Sequence, residues 1–289
     1  MALLMVYDMV MDINDMDIKA IMCDIDGTLV GSRGIVTPKT VAALRQARGQ
    51  GFLFGLATGR DVRSVRDLLA AWGIGGLVDA IVGSGGAEIC DLTLGVERKS
   101  FPLDGALIRQ IMDHYAGLPV AFAVPDEGVL YTDKKSMAIA MLSKVDRIPY
   151  RVVDFYVFLR QPRTKLIIVT DPAGMDAVVA RAATFHSDRY KSASLKTAAV
   201  LYEFMDPRVS KTQGLSQVMA LHGWAMDQLL CFGDADNDYD MIVAAGCGVA
   251  MANGSAKVKA AADFVTADCE HDGIAAFLQA RLLDAKSAR

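Results

Sequence analysis

Four short segments of this chain carry side chains suited to the chemistry of a phosphate ester. Asp24-Ile25-Asp26-Gly27-Thr28 sets two aspartates one residue apart, and Gly27 gives the backbone the freedom to turn so that both carboxylates reach one site. Gly233-Asp234-Ala235-Asp236-Asn237-Asp238 is dense in oxygen donors. Acidic groups gathered at one place repel unless a cation sits among them, and carboxylate, water and phosphate oxygens are the ligands Mg²⁺ prefers. Thr58, within Thr58-Gly59-Arg60, offers a hydroxyl, and Lys211 offers an isolated cation. Both could hold a phosphate.

Taken singly, each segment has an ordinary explanation. An aspartate pair commonly serves turns and helix caps. Thr58-Gly59 reads equally as a cap and a turn, and Lys211 as a solvated surface lysine. An EF-hand starting at Asp234 would need Glu at its twelfth position, where Ala245 stands. No G-x-x-x-x-G-K-[ST] occurs, and Gly83-Ser84-Gly85-Gly86-Ala87-Glu88 lacks the last glycine of a G-x-G-x-x-G. The weight lies in the order of the segments and in the elements that carry them.

Each chemical segment follows an apolar run. Ala20 to Cys23 reads as a buried strand ending at Asp24, and Phe52 to Ala57 as a second ending at Thr58. Ala80 to Val82 is a third, ending in the glycine loop, and Leu229 to Phe232 a fourth, ending at the acidic loop. Helices over Pro38–Gly51, with Thr37 as cap, and over Val62–Trp72 alternate with them. Helix is also predicted from Lys211 to His222 and Tyr239 to Ala245, with short strands at Gly248–Met251 and Phe264-Val265. Strand–helix alternation predicts an α/β, doubly wound parallel sheet (Rossmann-like), whose ligands bind at the carboxyl ends of the strands.

Between about Glu88 and Met205 the texture becomes two-sided. Strands are expected at Val120–Val124, Val152–Phe158, Lys165–Val169 and Leu201–Met205. Helices are expected near 103–115, 134–142 and 174–185. This predicts an α/β insert with a largely antiparallel sheet. The expected division is an N-terminal extension over 1–17, poorly ordered and with Met16 as a candidate start, a catalytic core over 18–87 and 207–289, and an inserted domain over 88–206.

Composition narrows the function. The chain has 289 residues, 53% hydrophobic and 22% charged, which excludes a disordered polypeptide. The net charge is −4 and no Lys/Arg-rich run occurs, against a nucleic-acid or anionic-membrane partner. Five scattered cysteines without a C-x-x-C pair, and four histidines without H-x-x-x-H spacing, read as neither a disulfide framework nor a zinc site. The expected setting is cytoplasmic, since no apolar run reaches membrane-spanning length and the N-terminal segment lacks a basic start.

In their order, the four segments resemble the motifs of the haloacid dehalogenase superfamily of phosphohydrolases, most closely its Cof-type branch. In that branch an α/β cap is inserted between the second and third motifs. The motifs match at Asp24–Thr28, at Thr58 within Leu56–Arg60, at Lys211 within Val209–Lys211 and at Gly233–Asp238, followed by a family-like Gly248–Asn253. The resemblance spans about residues 18–280. One departure is Gly85, where such proteins often carry Asn; this is expected to affect phosphate or cap contacts.

The resemblance implies Asp24 as nucleophile, Asp26 as acid and base, and Lys211 as the charge-neutralising cation. It implies Mg²⁺ held by Asp24, the Asp26 carbonyl and Asp234, with Asp238 supporting them. Thr58 and Asn237 would position phosphoryl oxygens, with Gly27, Gly59 and Arg60 beside them in the substrate site. The implied activity is hydrolysis of a small phosphate ester, a sugar phosphate before pyridoxal phosphate or flavin mononucleotide. Alternatives are a phosphomutase of the same fold or a non-catalytic phosphoryl-binding protein. Within the insert, Glu127, Tyr131, Lys134 and Lys135 are candidates to reach the substrate. On this reading the chain is a monomer or a homodimer.

Overall fold

The computed structural model describes residue 13 and residues 16–283. Ala20–Cys23 (β1) is buried throughout, as a strand covered on both faces must be. Pro38–Gly49 (α1) begins where the Thr37 hydroxyl accepts the Thr40 N–H, and Pro38 occupies a first-turn position that needs no amide hydrogen. Leu53–Ala57 (β2) leads to Asp61, whose carboxylate accepts the Ser64 N–H and caps Val62–Leu68 (α2). Ala80–Gly83 (β3) follows. Glu88–Asp91 (β4) and Val96–Lys99 (β5) then fold back antiparallel beside it.

The insert runs through Gly105–His114 (α3), Ala121–Asp126 (β6), Val129–Thr132 (β7), Met137–Asp146 (α4) and Tyr150–Val152 (β8). It continues with Phe155–Phe158 (α5), Lys165–Val169 (β9), Met175–Ala182 (α6), Ala193–Ala198 (β10) and Leu201–Met205 (β11). The chain then returns to the first unit with Lys211–Leu221 (α7), Leu229–Gly233 (β12), Tyr239–Ala244 (α8), Cys247–Met251 (β13), Ala256–Ala261 (α9), Phe264–Thr266 (β14) and Gly273–Leu278 (α10).

The first sheet has the order β14-β13-β12-β1-β2-β3-β4-β5, parallel from β14 to β3. β1 lies between β12 and β2, so the chain builds outward in opposite directions from it. That reversal opens a crevice at the strands' carboxyl ends. Alternate residues feed two cores: Ile21, Cys23, Phe54 and Phe232 on one face, Ala20, Met22, Cys231 and Leu215 of α7 on the other. The second sheet, β10-β11-β9-β6-β7-β8, is antiparallel except where β7 meets β8. It packs α3 and α6 on one face, through Ile108, Phe122, Ile168 and Val178, and α4 on the other, through Ala123, Ile139 and Ile167.

Three expectations change. The boundary at Glu88 falls inside the first sheet, which continues through β5 to Lys99. Val152–Phe158 is not one strand: Asp154 accepts the Tyr156 N–H and starts a helical turn, so β8 ends at Val152. The N-terminal extension lies mostly outside the described residues, but its end is packed. Ile13 is buried in the first core, Met16 rests against it, and Asp17 accepts the Gln228 side-chain amide. Among the described residues no helix is long and apolar enough to cross a membrane.

Candidate active site

β1 delivers Asp24 to the crevice, where the Asp24 N–H extends the ladder by donating to Phe232 of β12. The chain then turns. The Ile25 carbonyl accepts the N–H groups of Leu29 and Val30, and Gly27 takes φ +90°. A Cβ at Gly27 would run into the Asp234 carboxylate, so glycine is what lets the two acidic loops meet. Beside it the Thr28 hydroxyl donates to Asp234 Oδ1 at 2.6 Å.

Lys211 is the first residue of α7, whose cap is the Ser210 hydroxyl accepting the Gln213 N–H. Its buried ammonium donates to Asp24 Oδ1 at 2.5 Å and to Asp238 Oδ1 at 2.6 Å. Asp238 Oδ2 accepts the N–H groups of Asp234 and Ala235, both at 2.9 Å. Both oxygens of Asp238 are thus committed, and this carboxylate shapes the acidic loop from beneath.

Asp24, Asp234 and Asp238 bring one oxygen each within 4.8 Å of one another. Burial pushes Asp24 well above the usual carboxylate range against the pull of Lys211, with Asp238 and Asp234 adding repulsion. Burial likewise pushes Asp234 up to about 6, opposed by the Thr28 hydroxyl. Lys211 is raised as well: burial disfavours its charge, but Asp238 and Asp24 outweigh that and keep it protonated. Three carboxylates against one ammonium leave an excess of negative charge. Among the described residues, Asp24 Oδ2 and Asp234 Oδ2 accept no hydrogen bond. Hard oxygen donors with free lone pairs in an over-negative pocket fit a small divalent cation.

The remaining expected residues divide. Thr58 is buried beside β3, its N–H on Val82 and its hydroxyl accepting the Arg60 N–H at 3.2 Å. Asn237, half-buried in the turn Asp236–Asp238, has a side chain without a described hydrogen bond. The Asp26 carboxylate stands apart from the acidic cluster, on the exposed side of the turn. Arg60, expected beside the substrate, grips Asp26 through two bonds of 2.9 Å and touches Asp146 of the insert. The Gly59 carbonyl accepts Lys165 of β9 at 2.8 Å.

Among the described contacts, none joins an insert residue picked from sequence to the acidic cluster. Glu127 pairs with Lys99 at 2.6 Å, Tyr131 stacks on Phe158, and Lys134 and Lys135 are exposed. The insert instead meets the catalytic loops through Asp146, Lys165 and the buried Glu203 partner of Lys165. Asn253 was legible only as part of the Gly248–Asn253 stretch; its amide donates to the Gly27 carbonyl at 2.8 Å. Lys165 had one sequence signal, a charge opening an otherwise apolar strand.

The family model of haloacid dehalogenase-like hydrolases matches residues 21–278. The chain belongs to that family. Among its relatives, this hydrolase is 26% identical over 265 residues to the 5-amino-6-(5-phospho-D-ribitylamino)uracil phosphatase YitU of Bacillus subtilis, covering 90% of this chain and 96% of the relative. It is 24% identical to the pyridoxal phosphate phosphatase YbhA of Escherichia coli, covering 93% and 100%. Its fold is similar to the crystal structure of a haloacid dehalogenase-like hydrolase from Bacteroides thetaiotaomicron, with a TM-score of 0.81 at 23% identity, covering 91% and 99%. The resemblance carried by the four motifs is borne out, and so is the α/β core.

Proposed function

We propose that this hydrolase is a Mg²⁺-dependent phosphatase of a small phosphorylated metabolite, working through a phosphate carried on Asp24. That the enzyme is a phosphoric monoester hydrolase follows from its family and its phosphatase relatives. The finer reading is carried by one observation: the buried Asp24 carboxylate is held by Lys211 beside Asp234 and Asp238, at the carboxyl end of the central strand.

An Asp24 oxygen attacks phosphorus and the bond to the leaving oxygen breaks. Asp26 gives that oxygen a proton. Water then attacks the phosphorus of the aspartyl-phosphate, Asp26 takes the water's proton, and inorganic phosphate leaves with Asp24 restored. Lys211 offsets the negative charge that would otherwise repel an incoming phosphate. Thr58 and Asn237 present polar groups to the phosphoryl oxygens. Asp24 and Asp234, supported by Asp238 and the Asp26 backbone carbonyl, would hold Mg²⁺. When bound, the metal supplies Lewis-acid neutralisation of the transferring phosphoryl group.

The substrate class is a sugar or sugar-alcohol phosphate. The insert touches the loop beside the site through Asp146 and Lys165, which favours a small ester over a phosphoprotein, and one relative acts on a phosphoribityl compound. Pyridoxal phosphate forms the second arm, from the other relative. The test is phosphate release over a panel of sugar phosphates and phosphorylated cofactors, with Mg²⁺ or EDTA, beside Asp24→Asn. Release that needs Mg²⁺ and vanishes in the variant is the expected result. Equal activity of variant and wild type would remove Asp24 from the chemistry, and isomer formation without free phosphate would make the enzyme a mutase.

A further inference from the structure

We propose that Arg60 is the positioning residue for Asp26, held in that role by its contacts with Asp146 of the inserted domain. The inference rests on the reading of Asp26 as the proton-transfer group.

Three consecutive residues after β2 each hold the insert, and each holds a different part of it. The Gly59 carbonyl accepts the Lys165 ammonium of β9 at 2.8 Å. Arg60 Nη1 donates to the Asp146 carbonyl at the end of α4 at 2.9 Å, and its Nη2 lies 3.4 Å from the Asp146 carboxylate. Asp61 Oδ1 accepts the Gly128 N–H, from the turn between β6 and β7, at 2.9 Å. The same loop is fixed to the first unit, since the Arg60 carbonyl accepts the Ser84 N–H at 2.7 Å. Residues 59–61 are therefore where the two units are tied together beside the site.

Of the three, Arg60 alone also reaches a site carboxylate. Its Nε and Nη2 donate to the two oxygens of Asp26, each at 2.9 Å. The Arg60 side chain is 14% exposed and that of Asp26 58%. Asp26 thus sits on an exposed turn, and its carboxylate has no other described hydrogen-bond partner. A guanidinium fork fixes the plane of a carboxylate as well as its distance, which a lysine cannot do. One edge of the fork orients Asp26 while the rest is held by α4. Held by Asp146 on one side, the fork keeps Asp26 in one orientation for proton transfer.

Lys165 fixes the same loop to the insert. It is buried, and it pairs with Glu203 of the neighbouring strand at 2.9 Å, which in turn accepts the Thr197 hydroxyl. Its ammonium is thereby fixed in place to meet the Gly59 carbonyl.

A positioning role shows in which substrate suffers. An alkyl phosphate needs its leaving oxygen protonated, whereas p-nitrophenyl phosphate loses a stable phenolate that needs no proton. Arg60→Ala is expected to lower kcat/KM on the best alkyl phosphate of the panel about 10–100-fold through kcat, as a misplaced acid would. On p-nitrophenyl phosphate the expected loss in kcat/KM is under about threefold, because that constant ends at phenolate departure and does not include the later step in which Asp26 acts as base. In an Asp26→Asn background, Arg60→Ala should add nothing further. Arg60→Lys, which keeps the charge without the fork, should show the same asymmetry, and its p-nitrophenyl phosphate turnover reports a folded enzyme. Equal losses in kcat/KM on both substrates, a loss confined to KM, a gain on the alkyl phosphate, or full additivity with Asp26→Asn would each overturn the role. Asp24→Asn, run alongside, separates the two failures: if it retained turnover, the underlying reading of the site would be at fault rather than the role of Arg60.

Discussion

Asp24 and Lys211 stand 187 residues apart in the chain and 2.5 Å apart in space. The insert occupies most of the sequence between them, yet both sit at the floor of one crevice. Asp24 ends the central strand and Lys211 opens the helix packed on that sheet. The same ammonium reaches Asp238, so a single buried cation organises carboxylates from two loops.

Lys211→Met should therefore cost more than a catalytic group. It leaves Asp24 and Asp238 buried without their counter-charge. The expected loss is about 3–5 kcal/mol in urea unfolding of the metal-free protein. Phosphate release should fall by at least about 10²-fold.

Mg²⁺ should stabilise the wild-type protein in a way that can be read without turnover. A ligand that binds only the folded state adds about 2.7 kcal/mol at a hundredfold excess over its Kd. A rise in melting temperature with Mg²⁺, absent in Asp234→Asn, is the expected outcome. An equal rise in both proteins would remove Asp234 from the metal site.

The glycine loop after β3 gives a contrast between neighbours. Gly85 has φ +69°, a left-handed conformation that Asn tolerates, and a Cβ there would meet Val209 Cγ1 in ordinary contact at 4.0 Å. Gly85→Asn should melt within about 1 kcal/mol of wild type and keep its activity. Gly86 has φ +112°, and a Cβ there would collide with the Ser210 carbonyl at the start of α7. Gly86→Ala should cost about 2–5 kcal/mol and displace Lys211, so activity falls with stability. Thermal melts with parallel assays distinguish the pair.

Asp91 supplies a pH signature away from the site. Burial alone would raise its carboxyl, but hydrogen bonds from Thr93, Leu94 and His222 prevail and hold it below the usual range. A depressed folded pKa means that ionisation favours folding. The contribution is in place above the unfolded value of about 3.9 and is lost as pH falls through the lower folded value. Asp91→Asn should cost about 1–3 kcal/mol near neutral pH, with the difference from wild type shrinking as pH falls below about 4. Denaturant curves for the two proteins across that range check the sign.

Much of the first unit was legible because its strands are buried on both faces. Ala20–Cys23, Leu53–Ala57, Ala80–Gly83 and Leu229–Gly233 read as apolar runs, and polarity returns abruptly where each meets the crevice. β5, Val-Glu-Arg-Lys, was invisible for the opposite reason. It is an edge strand with charged residues facing water, so neither hydrophobicity nor alternation marks it, and the boundary of the insert was misplaced. β10 lies at the edge of the second sheet and carries the same polar disguise.

The sequence by itself determined the chemical inventory and its placement, with Asp24, Asp26, Thr58, Asp234 and Asp238 after strand ends and Lys211 at a helix start. Local periodicity and turn chemistry are written in neighbouring residues, and motif order carries the family. Only the tertiary structure decided the partnerships. Lys211 could have faced water, Arg60 could have faced a phosphate, and Glu127 or Lys134 could have faced the site. Instead Lys211 bridges Asp24 and Asp238, Arg60 grips Asp26 under the edge of α4, and the insert enters through Asp146 and Lys165. The physical reason is that a long polar side chain reaches in any direction from its backbone. Which charge it meets depends on how two sheets, each built from distant segments, are docked against one another, and no local pattern encodes that docking.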